Sequence, residues 1–173
     1  METATVSSAA TTASSLSPAK GLLVLGAVVF VVVAFILLTL LFGNQDAWAG
    51  FLFLTYWAGR EDMKFDKLPM CAIGALFGIF MAYLLQMLSP QLGVVGIGIV
   101  VGVILAAIYC QIMGWFLRPV NVVTMLFLTV GAVPPIQKYG NFADIAFALI
   151  LGIVFFSGLV ASLGLIGKKQ VVY

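Results

Sequence analysis

The sequence predicts an all-α polytopic membrane protein, with six transmembrane segments arranged as two inverted three-segment repeats, each holding one short central helix. Three observations lead there. Hydrophobic residues make up 64% of the 173-residue chain and charged residues only 8%, whereas soluble domains are about half apolar and about a quarter charged. The apolar residues gather into runs separated by short polar breaks. One segment also occurs twice: Leu52-Phe53-Leu54-Thr55 returns as Leu126-Phe127-Leu128-Thr129, 74 positions later. The same shift pairs Val29 with Val103, Phe42 with Phe116, Ala58 with Ala132, Ala72 with Ala146, Gly78 with Gly152 and Ile79 with Ile153.

Residues 1–20 read as a flexible N-terminal tail, because their Ser, Thr and Ala bring too little apolar surface to order the chain. The apolar run that follows is too long for the core of a secretory signal. Repeat 1 covers 21–88. Its first segment, Gly21 to Phe42, carries no charge and would extend about 33 Å as a helix, enough to cross a bilayer. Gly43-Asn44-Gln45-Asp46 is a set of turn and capping residues, so a tight hairpin leads into the first short segment, 47–59. The charged stretch Arg60-Glu61-Asp62-Met63-Lys64-Phe65-Asp66-Lys67 comes next and belongs in water or a polar vestibule. Pro69 suits the first turn of the third segment, which runs to about Leu88 and contains Gly74-x-x-x-Gly78.

Ser89-Pro90-Gln91 is expected to turn the chain into repeat 2, residues 92–166. Leu92 to Leu117 is the fourth segment, with Gly98-x-x-x-Gly102 inside it and Arg118-Pro119 at its end. The second short segment is 121–133, closed by Pro134-Pro135 and a polar loop through Lys138 to Asn141. A last helix is expected from about Phe142 to Ile166, its N-terminus stabilised by Asp144, and 167–173 form a C-terminal tail.

The basic residues test whether all six segments cross. With the N-terminus inside, Lys20, Arg60, Lys64, Lys67, Arg118, Lys168 and Lys169 are cytoplasmic and only Lys138 of the 8 is outside. If the short segments entered and left on one side, the division would be 3 inside and 5 outside. Six crossings therefore fit better, with both termini cytoplasmic, and three crossings per unit turn the second unit upside down.

Each short segment would be roughly 20 Å of helix against a hydrocarbon core of about 30 Å. Longer helices must surround it, and its ends must open into water-filled funnels. Short segments at matching positions of two halves point to a substrate path. Phe51, Thr55 and Gly59 share a helix face, as do Met125, Thr129 and Val133. The expected pathway is Thr55, Thr129, Phe51, Phe53, Phe127 and Met125, with Asn44, Asp46, Arg118 and Asn121 at the mouths. Plainer readings stand beside it: the threonines satisfy their own backbone carbonyls, Arg118 marks the cytoplasmic side, and the short helices are ordinary members of a bundle.

Proton or sodium coupling needs an ionisable group at depth, and the spans hold none near their centres. A channel or facilitator for a small uncharged polar solute of the urea or amide class, with its pore between the two symmetry-related short helices, is the expected function. A channel or transporter for a small monovalent anion or carboxylate, selected by Arg118 and the helix starts, is one alternative. A non-transporting scaffold or accessory subunit that docks a partner through 60–67 is another. There is no histidine, no metal-ligand cluster and no nucleophile–base pair, so no enzyme, metal or cofactor is expected. Net charge is only +2, without a basic patch, so no nucleic acid is expected. Cys71 and Cys110 fall in apolar runs and read as small hydrophobes. Trp48, Tyr56, Trp57, Trp115 and Tyr139 read as interfacial anchors. The slim body implies a homo-oligomer.

Trp48-Ala49-Gly50-Phe51-Leu52, followed by Thr55 and Ala58, resembles the YcdZ-like family of small bacterial inner-membrane proteins. The second half does so too, where a segment beginning at Pro119 leads to Thr129, Gly131 and Ala132, a polar loop and a glycine-containing helix. The resemblance covers about 21–166 and implies residence in a bacterial inner membrane, but no substrate. The Ser/Thr-rich tail and the loop at 60–67 depart from it. In plan the chain is also similar to urea channels, with inverted repeats and short helices bearing Phe and Thr at a narrow slot; that likeness is one of fold only.

Overall fold

A computed structural model describes residues 18–116 and 119–169, and among these the chain is helical with no strand. The elements are α1 (Pro18–Leu41), α2 (Trp48–Arg60), α3 (Leu68–Ile112), α4 (Val122–Gly131), α5 (Pro134–Tyr139) and α6 (Phe142–Lys169). Among the described residues three stretches are long and apolar enough to cross a membrane: Gly21–Leu41, Leu68–Ile112 and Phe142–Leu163. Most of the N-terminal tail, Arg118 and the last four residues of the C-terminal tail lie outside the described residues.

The chain divides into two compact units, Met1–Ala34 and Phe35–Tyr173. In the first, the described residues form one helical run whose Leu22, Leu23, Val28, Val29 and Phe30 are exposed. A continuous apolar surface of that kind suits lipid, where a helix satisfies all its backbone groups internally.

In the second unit the 45-residue α3 is two arms joined at a break. The turn expected at Ser89-Pro90-Gln91 falls slightly later. Helical geometry continues through Pro90 and fails at Gly93, where φ is 54° and ψ is −131°, a conformation that glycine adopts freely and residues with a Cβ do not. Met81, Leu84 and Leu88 on the first arm and Ile99, Val103 and Ile104 on the second enclose a cavity of about 30 Å³, so the arms fold back on each other.

The second arm stops at Ile112, short of the expected Leu117, and turns through Gly114 at φ 70°. Gly43, just beyond α1, has the same φ. The Gly43 N–H donates to the Leu40 carbonyl and the Gly114 N–H to the Gln111 carbonyl. These two helix ends therefore match at a shift of 71, not 74, which replaces the pairing of Phe42 with Phe116. The connection to the following short helix is three residues longer in the second half.

The polar loop expected after Pro134-Pro135 is instead the six-residue α5. Both prolines sit in its first turn, where a fixed φ fits and the missing N–H costs nothing. The Gln137 amide donates to the Ala82 and Gly131 carbonyls, and the Gln86 amide to those of Gln137 and Gly140. α5 is thereby strapped to the end of the first arm of α3.

Contacts fix the directions of these segments. The end of α1 runs antiparallel to α6, with Phe42 against Phe147 and Phe35 against Phe155 and Phe156. α2 runs parallel to α6, Asn44 meeting Asp144 and Gly50 meeting Gly152. α4 runs parallel to the first arm of α3, Asn121 meeting Met70, Thr124 meeting Gly78 and Gly131 meeting Ala82. α6 begins where that arm ends, with the Tyr83 and Phe142 rings 6.0 Å apart, and packs back along it. Successive segments thus alternate in direction. The core gathers where they meet: Phe53, Trp57, Cys71, Ala75, Val123, Phe127, Ala148 and Leu149 have no more than traces of exposed surface. Trp57, expected at an interface, is fully buried because its indole N–H reaches the Lys64 carbonyl at 3.0 Å while Phe65 caps its ring.

Candidate functional site

The two short helices are held in the same way. Ala49, Gly50, Phe53 and Trp57 are the buried face of α2, and the residues 74 positions on, Val123, Thr124, Phe127 and Gly131, are buried in α4 together with Leu128. A Cβ on Gly152 would lie 2.5 Å from the Gly50 Cα, and one on Gly78 would lie 2.5 Å from the Thr124 carbonyl oxygen. Moving each member of the second contact by 74 gives the first. Glycine is required at both because backbone approaches backbone.

Asn44 and Asn121, expected at the mouths, are almost fully buried. The Asn44 amide donates to the Asp144 carbonyl at 2.7 Å and its Oδ1 accepts from the Asp46 N–H at 2.7 Å. The Asn121 amide donates to the Met70 carbonyl at 3.1 Å and its Oδ1 accepts from the Val123 N–H at 2.9 Å. Met70 and Asp144 are themselves 74 apart. Each asparagine thus locks the start of a short helix to the first turn of a long helix from the other half. Asn121 is also the N-cap of α4, completing a capping box with Thr124, whose hydroxyl donates to the Pro119 carbonyl. Asp46 turns to the Trp48 indole, accepting at 3.0 Å.

Thr55 and Thr129 are exposed, and each hydroxyl donates to its own helix, to the Phe51 carbonyl at 2.8 Å and the Met125 carbonyl at 2.7 Å. The single proton of each is used, so towards a solute both present acceptor lone pairs only. Phe51 is half-buried, edge-on to Phe35 at 5.1 Å, and Met125 is half-buried against the core. Phe53 and Phe127 are wholly inside the core. α2 leans on α6 and α3, and α4 on α3; the two short helices are not a closely packed pair. Thr55 and Thr129 therefore stand exposed at equivalent places on two separate helices, whereas Phe53 and Phe127 meet in one buried cluster against which Met125 packs. Arg118 lies outside the described residues.

Cys71 and Cys110 are free thiols, the first buried. Sequence reasoning missed the cross-half role of the asparagines, whose spacing of 77 departs from the repeat shift. It also missed a cavity of about 680 Å³ between the first arm of α3 and the start of α6, which carries no motif. No family model matches the chain, and neither does any curated protein or solved structure.

Proposed function

We propose that the chain crosses the membrane six times, as two three-segment halves of opposite direction, and serves as a passage for a small uncharged polar solute of the urea or amide class. The observation that carries this reading is the exchange of contacts between halves: Gly50 with Gly152 against Thr124 with Gly78, and Asn44 with Asp144 against Asn121 with Met70. Two helices too short for the bilayer, each seated on a long helix of the opposite half, form the plan in which substrate paths are found. Acceptor oxygens at Thr55 and Thr129 suit a solute rich in N–H donors. Both lie on exposed stripes of a single chain, so a second copy closes the path.

Stopped-flow entry of urea, formamide, acetamide and glycerol into liposomes tests this. Faster entry of at least one with the protein is expected, and equal rates with and without it refute the reading. Thr55→Val with Thr129→Val should slow entry while leaving the fold intact, because each hydroxyl bonds only to its own backbone. Reporter fusions at Asp46, Lys64, Pro90, Arg118 and Lys138 should alternate between the two sides of the membrane.

A further inference from the structure

The cavity beside α6 has walls of one character and an end of another. Leu76, Ile79 and Phe80 line its body, while Tyr83 and Gln86 lie towards the end of the arm, near Asn141 and Phe142. Leu76 and Gln86 are ten residues apart on one helical arm, about 15 Å along its axis. Its volume of about 680 Å³ is far more than a urea-sized solute fills and falls among sites for molecules of tens of atoms, about 300–1,000 Å³.

The polar end is neutral. Among the described residues no charged side chain lines the cavity. The nearby Asp144 carboxylate is turned to the Asn141 amide at 2.8 Å, and the Lys138 ammonium lies over the Tyr139 ring, 5.1 Å from its centre. Both Gln86 amide protons are committed to the Gln137 and Gly140 carbonyls, which fixes Oε1 as an acceptor. The Tyr83 hydroxyl makes no hydrogen bond to any described residue and can both donate and accept. A head group that donates to Gln86 and accepts from Tyr83 satisfies both.

From this polarity gradient we infer that the cavity binds a neutral amphiphile taken from the membrane, about 15 Å long overall, with one hydroxyl or primary-amide head at Gln86 and Tyr83 and its apolar body lying along Phe80 to Leu76. The inference is independent of any solute passage. A charged head is disfavoured because nothing at the cavity end compensates its desolvation, and a plain alkane because it would leave the polar end dry and unpaired.

The test uses the purified full chain in phosphatidylcholine nanodiscs and a twelve-carbon alcohol carrying a diazirine in its chain, with cross-links mapped by mass spectrometry. Saturable labelling between Leu76 and Tyr83 and between Phe142 and Ala146 is expected, competed by unlabelled dodecanol. The methyl ether, which lacks the donor, and the carboxylate of the same length should each label at least threefold less. Tyr83→Phe should raise the half-saturating concentration about three- to tenfold, the effect of one hydrogen bond. Ala143→Trp, which fills the cavity from an exposed lining position, should lower labelling at least tenfold. Labelling that does not saturate, spreads equally over α1 and the second arm of α3, is the same for alcohol and ether, or survives Ala143→Trp overturns the inference. If Ala143→Trp does not fold, the comparisons of alcohol with ether and of native chain with Tyr83→Phe decide it alone.

Discussion

Gly152→Ala is the sharpest probe of how the halves meet. The added methyl would sit 2.5 Å from the Gly50 Cα, a backbone atom with no side chain to swing aside, so α2 and α6 must part. Overpacking of this kind costs about 1–3 kcal/mol. Alanine also favours a helix over glycine by about 1 kcal/mol, so Gly158→Ala on the same helix is the control: a Cβ there meets nothing within 4 Å. The propensity gain is common to both, and the difference between them should equal the packing cost, about 1–3 kcal/mol, or roughly five- to 150-fold in the unfolding constant. Gly78→Ala meets the Thr124 carbonyl at the same 2.5 Å and should fall within the same range. Reversible unfolding in mixed micelles, followed by far-UV circular dichroism, gives all three values. Gly152→Ala and Gly78→Ala as stable as Gly158→Ala would refute the claim that backbone contact sets the spacing of the halves.

Three further outcomes are expected. Asn121→Ala should cost about 2–4 kcal/mol, removing an N-cap and leaving the Met70 carbonyl without its donor; Asn44→Ala, with one cross-half bond and one local bond, should cost about 1–3 kcal/mol by the same unfolding assay. Gly93→Ala should destabilise by about 1–3 kcal/mol because φ 54° with ψ −131° is strained for any residue with a Cβ, whereas Pro90→Ala should change stability by less than about 1 kcal/mol, and the reverse order would move the turn back to Pro90. Trp57→Phe should cost about 1–2 kcal/mol by removing a buried hydrogen bond to the Lys64 carbonyl, and hydrogen exchange across 61–67 should quicken.

Much of the architecture was legible because it rests on chain-local chemistry. The Leu52–Thr55 and Leu126–Thr129 tetrads located both short helices, and their buried faces correspond at the same shift of 74, although Phe53 and Phe127, expected in the pathway, belong to those buried faces. The turn was read at Pro90 because proline disfavours helix for the residue before it; the reversal chose Gly93 because positive φ, not a missing N–H, is what the tight turn demanded. Pro134-Pro135 read as a terminator and proved an initiator, since the same fixed φ serves both. The asparagine locks were half visible: both residues stand just ahead of a short helix, but only the folded chain brings them to carbonyls of the opposite half. Thr55 and Thr129 form the local backbone bonds that threonine in a membrane helix often makes. The cavity left no trace in the sequence because it depends on how α6 crosses α3.

The seat of α2 on α6 has a consequence for assembly in time. As the chain is synthesised, α2 emerges well before α6, which carries the glycine surface and the Asp144 carbonyl that receive it. The first half must therefore wait, its short helix unhoused, until α6 has been made. A chain truncated before α6 should leave α2 exposed to whatever machinery recognises unfinished membrane proteins.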